Sequence, residues 1–300
     1  MQKSGNKNYG ALAALFANII FGFSFLFSKL ALNFANPLIV LQVRFTVAFV
    51  VLALLALFGI VKINLKGKQV LCPILMALAQ PLLYFLFELY GINFTTSAVS
   101  GVIISLVPVG VIILSGLVLK EKATRTQIIC SVCSILAVSG ISVISSGGGR
   151  NSIKGILLLV GAVCMAAVFN ILSRLLSKEF TPLEKTFTMF LVGAVGFNAI
   201  AFAVFKGQTL SMLTQAAVNT EFWVAIVYLS IVSSIGAFML YNYATAKISA
   251  VRAASFSNII TVVSLLAGVL ILKEKITLLE FILCIIIILS VYGVNKKGQF

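Results

Sequence analysis

Long apolar runs separated by short polar segments make up almost all of this 300-residue sequence. A helix needs about 20 residues to cross the hydrocarbon core of a bilayer. Apolar residues are continuous within each run, whereas the strands of a membrane barrel alternate apolar and polar residues. The pattern predicts an all-α integral membrane protein with ten transmembrane helices, at residues 10–31, 37–61, 69–93, 96–118, 126–145, 154–174, 183–205, 222–243, 248–271 and 277–294.

The composition excludes a soluble enzyme. Hydrophobic residues account for 61% of the chain and charged residues for only 10%, against about a quarter in soluble domains. The sequence contains no His, and all seven acidic residues are Glu. Ser-His-Asp triads, HExxH zinc sites and Asp-rich magnesium sites are therefore absent. We expect no catalytic residue, no bound metal and no cofactor.

The net charge of +15 indicates membrane orientation, because Lys and Arg lie between the apolar runs. A nucleic-acid partner would need these residues on one face, so none is expected. Placing the N-terminus in the cytoplasm puts fifteen Lys and Arg residues, Lys185 among them, on that side and six on the other. The positive-inside rule favours this arrangement. It predicts a multi-pass plasma-membrane protein with both termini cytoplasmic. The first run is interpreted as a retained helix, since bulky residues from Phe21 to Phe27 occupy the place of a cleavage site.

The two halves of the sequence repeat. Leu119-Lys120-Glu121-Lys122 recurs as Leu272-Lys273-Glu274-Lys275 at an offset of 153 residues, and Pro37 corresponds to Pro182 at an offset of 145. We assign residues 1–146 to the first five-helix repeat, 147–153 to a linker and 154–300 to the second repeat. An odd number of spans inverts the second half, as in many transporters. A duplicated scaffold without transport remains the alternative.

The closing motif of each half resembles the EamA branch of the drug/metabolite transporter superfamily. It reads Leu119-Lys120-Glu121 with Gln127 and Gly140, then Leu272-Lys273-Glu274 with Glu280 and Gly293. Pro108 also fits the family's fourth span, although the second half has Thr261 at the matching position. The resemblance covers nearly the whole chain. It implies transport of amino acids, other metabolites or drugs through a central cavity lined by spans 1, 3, 4, 6, 8 and 9.

Polar residues inside the spans are the candidates for substrate binding. Gln80, Tyr84 and Glu88 share one face of the third span, and Tyr241 and Asn242 lie at the corresponding part of the eighth. Glu88 could bind a substrate amine or carry a proton, because an intramembrane acid usually faces the protein interior. An ion pair with Arg44, in the second span, is the competing interpretation.

Three further amides complete the candidate set: Asn18, Asn170 and Asn258. Each either lines the cavity or forms hydrogen bonds between helices, which is at least as common for buried amides. Glu121 and Glu274 are given a structural role instead. Each precedes a helix that begins near Thr124 or Thr277, where a Thr N-cap and the helix dipole favour a carboxylate.

These observations together predict a secondary transporter that moves a small organic solute by alternating access. Its partners would be that solute and the membrane lipid, with proton coupling and a homodimer both left open. A channel, a membrane-embedded enzyme and a scaffold without transport are the alternatives. The enzyme is disfavoured because the loops offer no clustered acid, metal or nucleophile set.

Overall fold

The computed structural model describes residues 5–94, 103–121, 123–144, 152–272 and 277–296, and within them the chain forms helices and connecting turns only. We number the ten principal helices in chain order. They are α1 (Gly5–Leu32), α2 (Pro37–Leu57), α3 (Leu71–Ala77, a π-helical stretch Leu78–Leu83, and Tyr84–Asn93), α4 (Val107–Leu114 with Ser115–Leu119), α5 (Arg125–Ile144), α6 (Ile153–Leu176), α7 (Pro182–Phe205), α8 (Thr220–Val227, π-helical Tyr228–Ala237, and Phe238–Lys247), α9 (Ala250–Ser255, a short turn Phe256–Asn258, and Ile259–Leu272) and α10 (Leu278–Lys296).

The all-helical membrane class is confirmed. Nine helices in the described part of the chain are long and apolar enough to cross a membrane, and α4 is a shorter apolar helix. Part of the fourth predicted span, residues 96–102, lies outside the described residues, as does most of the predicted linker 147–153. A short helix between α7 and α8, Thr209–Ala217, was not predicted. The ten-helix inverted arrangement and the repeat boundaries stay predictions.

Reciprocal side-chain hydrogen bonds define where α5 and α10 begin. The Thr124 hydroxyl accepts from the backbone N–H of Gln127, and the Gln127 side-chain oxygen accepts from the backbone N–H of Thr124. Thr277 and Glu280 form the same pair of bonds. Such capping boxes satisfy two amides that the first helical turn leaves without partners. The predicted Thr N-caps are therefore correct, and the capping residues of the closing motif are Gln127 and Glu280.

Helix α3 is broken near its middle. Gln80 has extended backbone angles (φ −147°, ψ 122°) and Pro81 follows it. Proline supplies no amide hydrogen and disfavours helical geometry at the preceding residue. The broken segment is covered by α7, where Gly193 faces Pro81 and Gly196 faces Leu82. Two residues without side chains thus allow α7 to approach the break closely.

Contacts between α5 and α10 reveal that these helices are antiparallel. Gly140 of α5 packs against Leu283 of α10, while Gly293 of α10 packs against Cys130 of α5. The later residue of each helix therefore meets the earlier residue of the other. The two contacts are equivalent in the two halves, because adding 153 to a residue number relates Gly140 to Gly293 and Cys130 to Leu283. The motif glycines are contact points that let these two helices pack closely.

A second pair of helix contacts is also equivalent in the two halves. α1 packs against α8 and α9, while α6 packs against α3 and α4. Gly22 of α1 faces Val263 of α9, and Gly110 of α4 faces Ala167 of α6. Offsets of 145 and 153 residues relate Gly22 to Ala167 and Val263 to Gly110. These are the contacts that a pseudo-twofold relation between the halves predicts.

Replacing Gly22 with Ala should destabilise the fold. The new Cβ would lie 2.5 Å from Cβ of Val263, which cannot move without shifting the backbone. We expect a loss of about 1–3 kcal/mol, as for other overpacked sites, seen as a lower melting temperature of the purified protein in detergent.

Gly116→Ala is the matched control, because no atom lies within 4 Å of the Cβ it would add. It should leave the melting temperature unchanged or raise it, since Ala favours helix over Gly. Equal melting temperatures for the two variants would contradict the close α1–α9 contact.

Candidate functional site

Arg44 is a buried cation inside a membrane helix. Its side chain is 5% exposed, and it reaches from α2 to two hydroxyls of α8. Nε donates to Ser234 Oγ at 2.9 Å and Nη2 donates to Ser233 Oγ at 3.1 Å. The guanidinium also lies 5.3 Å from the ring centroids of both Phe45 and Phe85. Neutral hydroxyls and aromatic faces therefore hold this charge.

Helix α1 joins the same cluster through Ser24. Its hydroxyl donates to Ser233 Oγ at 2.6 Å. Tyr228 of α8 donates to the Ile20 carbonyl of α1 at 3.0 Å and stacks on Phe27 with ring centroids 3.9 Å apart. Helices α1, α2 and α8 thus meet at one polar cluster around Arg44.

Glu88 lies close to this cluster without joining it directly. The Tyr84 hydroxyl donates to Glu88 Oε1 at 2.9 Å along α3, and both side chains are half-buried. Glu88 and Arg44 interact electrostatically, but no N–O distance of 4.0 Å or less joins them. The competing interpretation, a direct ion pair between Glu88 and Arg44, is therefore wrong.

Asn170, Tyr241 and Asn242 come together in a second, buried cluster. Tyr241 donates to Asn170 Oδ1 at 2.7 Å. Asn242 accepts from the Ser173 hydroxyl at 2.8 Å and donates to Thr186 Oγ1 at 3.0 Å. These bonds tie α6, α7 and α8 together, and the three residues are at most 6% exposed.

Lys185 lies in the middle of this second cluster and is fully buried. Its ammonium donates to the Ser173 carbonyl at 2.9 Å, to Ser177 Oγ at 2.8 Å and to the Asn242 carbonyl at 3.2 Å. The prediction that Lys185 is one of the cytoplasmic loop cations is wrong, because Lys185 lies in the first turn of α7 and is buried. Its spacing from Met189, one helical turn further along a buried face, was the available signal.

The remaining candidates lie apart from both clusters. Asn18 is buried and donates to the Ala14 carbonyl of its own helix at 2.7 Å. Asn258 donates to Ser134 Oγ at 2.8 Å and links α9 to α5. Gln80 is half-buried at the break in α3. The structure therefore does not bring the eight candidates into one site.

Glu121 has a structural role, but at a different helix from the one expected. Its carboxylate pairs with Arg174 of α6 at 3.3 Å and accepts from the Ala250 amide at the start of α9. Arg174 also donates to the carbonyls of Thr245 and Ala246 at the end of α8. The pair thus ties the turn after α4 to three helices of the second half. Glu274 lies outside the described residues.

Within the described residues, no group of three His, Cys, Asp or Glu side chains lies together as a metal site would require. What the membrane helices offer instead includes the half-buried Glu88, the buried cations Arg44 and Lys185, and many hydroxyls. Such groups can bind a polar solute by hydrogen bonds and charge.

Comparison with known proteins decides the class. The model of the EamA-like transporter family matches residues 8–143 and 153–296. The chain belongs to the EamA-like transporter family. It is therefore a multi-pass membrane protein and a transporter, and the resemblance seen in the closing motifs is confirmed.

Relatives with high coverage support the assignment. The chain is 34% identical to "Uncharacterized transporter YcxC" of Bacillus subtilis over 95% of this chain and 92% of that protein. It is 28% identical to "Uncharacterized transporter YetK" of the same organism, over 97% of this chain and 89% of the relative. A solved crystal structure shares the fold, with a TM-score of 0.75 at 16% identity over 95% of both chains.

Arg174 should be sensitive to a substitution that retains its charge. Arg174→Lys removes the planar fork that now reaches Glu121 and two carbonyls at once. We expect a lower melting temperature for the purified transporter, corresponding to a loss of about 1–3 kcal/mol because several hydrogen bonds to a charged group are affected.

Lys62→Gln is the control for Arg174→Lys, since Lys62 is exposed between α2 and α3. It should melt like the wild type. An Arg174→Lys protein with an unchanged melting temperature would show that the guanidinium contacts contribute nothing measurable.

Proposed function

We propose that this EamA-family protein is a secondary transporter that moves a small organic solute by alternating access. The solute class is an amino acid, an amine or a drug-like molecule. Tyr84 and Glu88 are the groups that contact the solute, with Arg44 beside them. One observation carries the proposal: inside the membrane helices, the half-buried Glu88 lies near the buried Arg44, whose guanidinium is hydrogen-bonded only to neutral hydroxyls in the described residues.

The energetic cost of these charges supports a functional role. Ionisable groups within membrane spans are expensive, and they commonly mark the path of a substrate or ion. Within the described residues the Glu88 carboxylate accepts one hydrogen bond, from Tyr84, so it retains acceptor capacity for a solute amine or hydroxyl. The remaining candidates, Asn18, Gln80, Asn170, Tyr241, Asn242 and Asn258, would shape the path or hold its walls.

Irregular helix geometry supports the same place. α3 and α8 both depart from α-helical geometry, at Leu78–Leu83 and Tyr228–Ala237. The offset of 153 residues puts the first stretch inside the second. Discontinuous helices in corresponding positions of two halves are typical of transporter binding sites near the bilayer midplane. Arg44 bonds to the α8 stretch through Ser233 and Ser234.

The exchanging helix contacts support two inverted halves. An antiparallel α5–α10 pair whose contacts interchange under one offset is what an axis in the membrane plane would produce. The family model also matches two segments, which coincide with residues 1–146 and 154–300 apart from their ends. Rocking of two such halves around a shared site would expose Glu88 alternately to each side. The excess of Lys and Arg on one side favours cytoplasmic termini in the plasma membrane.

The direct test is counterflow by the purified protein in liposomes. Labelled amino acids, amines, nucleosides and sugars are screened with and without a pH gradient. Saturable, solute-specific counterflow supports the proposal. Flux at ion-channel rates without saturation would favour a channel. Absence of all flux would favour a scaffold, and turnover of a bound lipid or sugar would favour an enzyme.

Glu88→Gln should reduce counterflow of the identified solute about tenfold or more, because hydrogen bonds to charged groups contribute about 1.5–3 kcal/mol. Tyr84→Phe should reduce it less, since that change removes only the hydroxyl that orients the carboxylate. Rates are measured at equal amounts of reconstituted protein.

Glu179→Gln is the matched control, as Glu179 is an exposed acid at the turn between α6 and α7. It should transport at the wild-type rate. Full transport and unchanged pH dependence in Glu88→Gln would remove Glu88 from the solute path.

A further inference from the structure

A cavity of about 280 Å³ opens where the turn between α6 and α7 meets the end of α8. It lies at helix ends, away from the Arg44 and Glu88 cluster. Its size is close to the lower limit of ordinary small-molecule pockets, about 300–1,000 Å³. Lys178 and Lys247 line it together with Ser177, Tyr243 and a single acid, Glu179. Both Lys178 and Glu179 are exposed.

A third ammonium lies directly behind this cavity. Ser177 lines the cavity, and its hydroxyl accepts from the buried Lys185 ammonium at 2.8 Å. Lys185 also donates to the Ser173 carbonyl and hydroxyl and to the Asn242 carbonyl, all of them neutral. One hydroxyl group therefore separates a buried positive charge from the cavity.

Apart from Glu179, which lines the cavity, the nearby carboxylates are engaged elsewhere. Glu184, adjacent in sequence, bonds to Lys68 at 2.7 Å and to the amides of Thr181 and Asn64. Glu121 is paired with Arg174, and Arg174 acts on Lys185 as a second positive charge. Within the described residues, no carboxylate forms a salt bridge with Lys185.

A buried ammonium with only neutral partners is costly, because hydrogen bonds to dipoles do not cancel its charge. The Ser177 hydroxyl donates to the Ser173 carbonyl at 2.6 Å, so an anion in the cavity would relieve this cost by its charge rather than by a hydrogen bond from Ser177. It would bind Lys178 and Lys247 directly. Lysine ammonium groups are compact point charges that suit phosphate oxygens. Basic pockets between helix ends also lie at the depth of lipid headgroups.

We propose that this cavity is a binding site for a phosphate-bearing anion, carried either by an anionic lipid headgroup or by a soluble phosphate. Lys178 and Lys247 contact the phosphate, and the Lys185 charge acts on it from behind Ser177 without a direct contact. The site is separate from the proposed solute path and does not depend on transport.

Thermal unfolding of the purified full-length protein tests the site. A ligand that binds the folded state raises the melting temperature in a concentration-dependent way. Inorganic phosphate in neutral detergent is compared with sodium chloride at equal ionic strength. In a second arm, nanodiscs containing phosphatidylglycerol are compared with phosphatidylcholine nanodiscs. Stabilisation by phosphate indicates a soluble ligand, and stabilisation by phosphatidylglycerol alone indicates a lipid headgroup.

Three variants locate the effect. We expect two variants to bind the stabilising anion about tenfold or more weakly, because each removes positive charge that attracts the anion. They are Lys185→Met and the double variant Lys178→Gln with Lys247→Gln. Lys62→Gln is a control that removes a charge from another exposed turn and should respond like the wild type. If Lys185→Met does not fold, the double variant decides.

Two results would overturn the proposal. One is stabilisation by chloride and phosphatidylcholine equal to that by phosphate and phosphatidylglycerol. The other is an undiminished anion response in the folded double variant.

Discussion

The burial of Arg44 in the membrane is the interaction on which the arrangement of the helices around the candidate site depends. A guanidinium in α2 requires hydrogen-bond acceptors at membrane depth, and α8 supplies them through Ser233 and Ser234. Ser24 brings α1 to the same point. Glu88 approaches without forming a direct ion pair, so a carboxyl group and a guanidinium lie near each other inside the membrane helices. Such an unpaired arrangement is costly in lipid and therefore favours function over structure.

The bilayer imposes a second constraint, since every backbone group at membrane depth needs a partner within the protein. This explains why the break at Gln80 and Pro81 lies under α7, where Gly193 and Gly196 allow close cover. Close approach at glycines also holds α5 against α10 and α1 against α9. Glycine contacts therefore set how closely these helices pack, whereas hydroxyl, amide and charged groups form the Arg44 cluster and the second cluster around Asn170, Tyr241 and Asn242.

The sequence predicted the helices and the family well, because continuous apolar runs and the repeated Leu-Lys-Glu-Lys motif are local signals. It predicted side-chain partners poorly. Asn258 bonds Ser134, more than a hundred residues away, and Glu121 bonds the start of α9 instead of capping the next helix. Lys185 appeared to be a loop residue because it follows Pro182 closely in a polar stretch. These partners are set by how distant helices pack, which periodicity within one helix does not encode.

Accessibility of the α3 break tests the account most directly. In a chain with its five cysteines replaced by Ala, Gln80→Cys is exposed to a membrane-impermeant maleimide added outside or inside oriented vesicles. Alternating access around the Arg44 and Glu88 cluster predicts labelling from both sides, with a transported solute changing the ratio of the two rates. Labelling from one side only under every condition, or from neither, would contradict it.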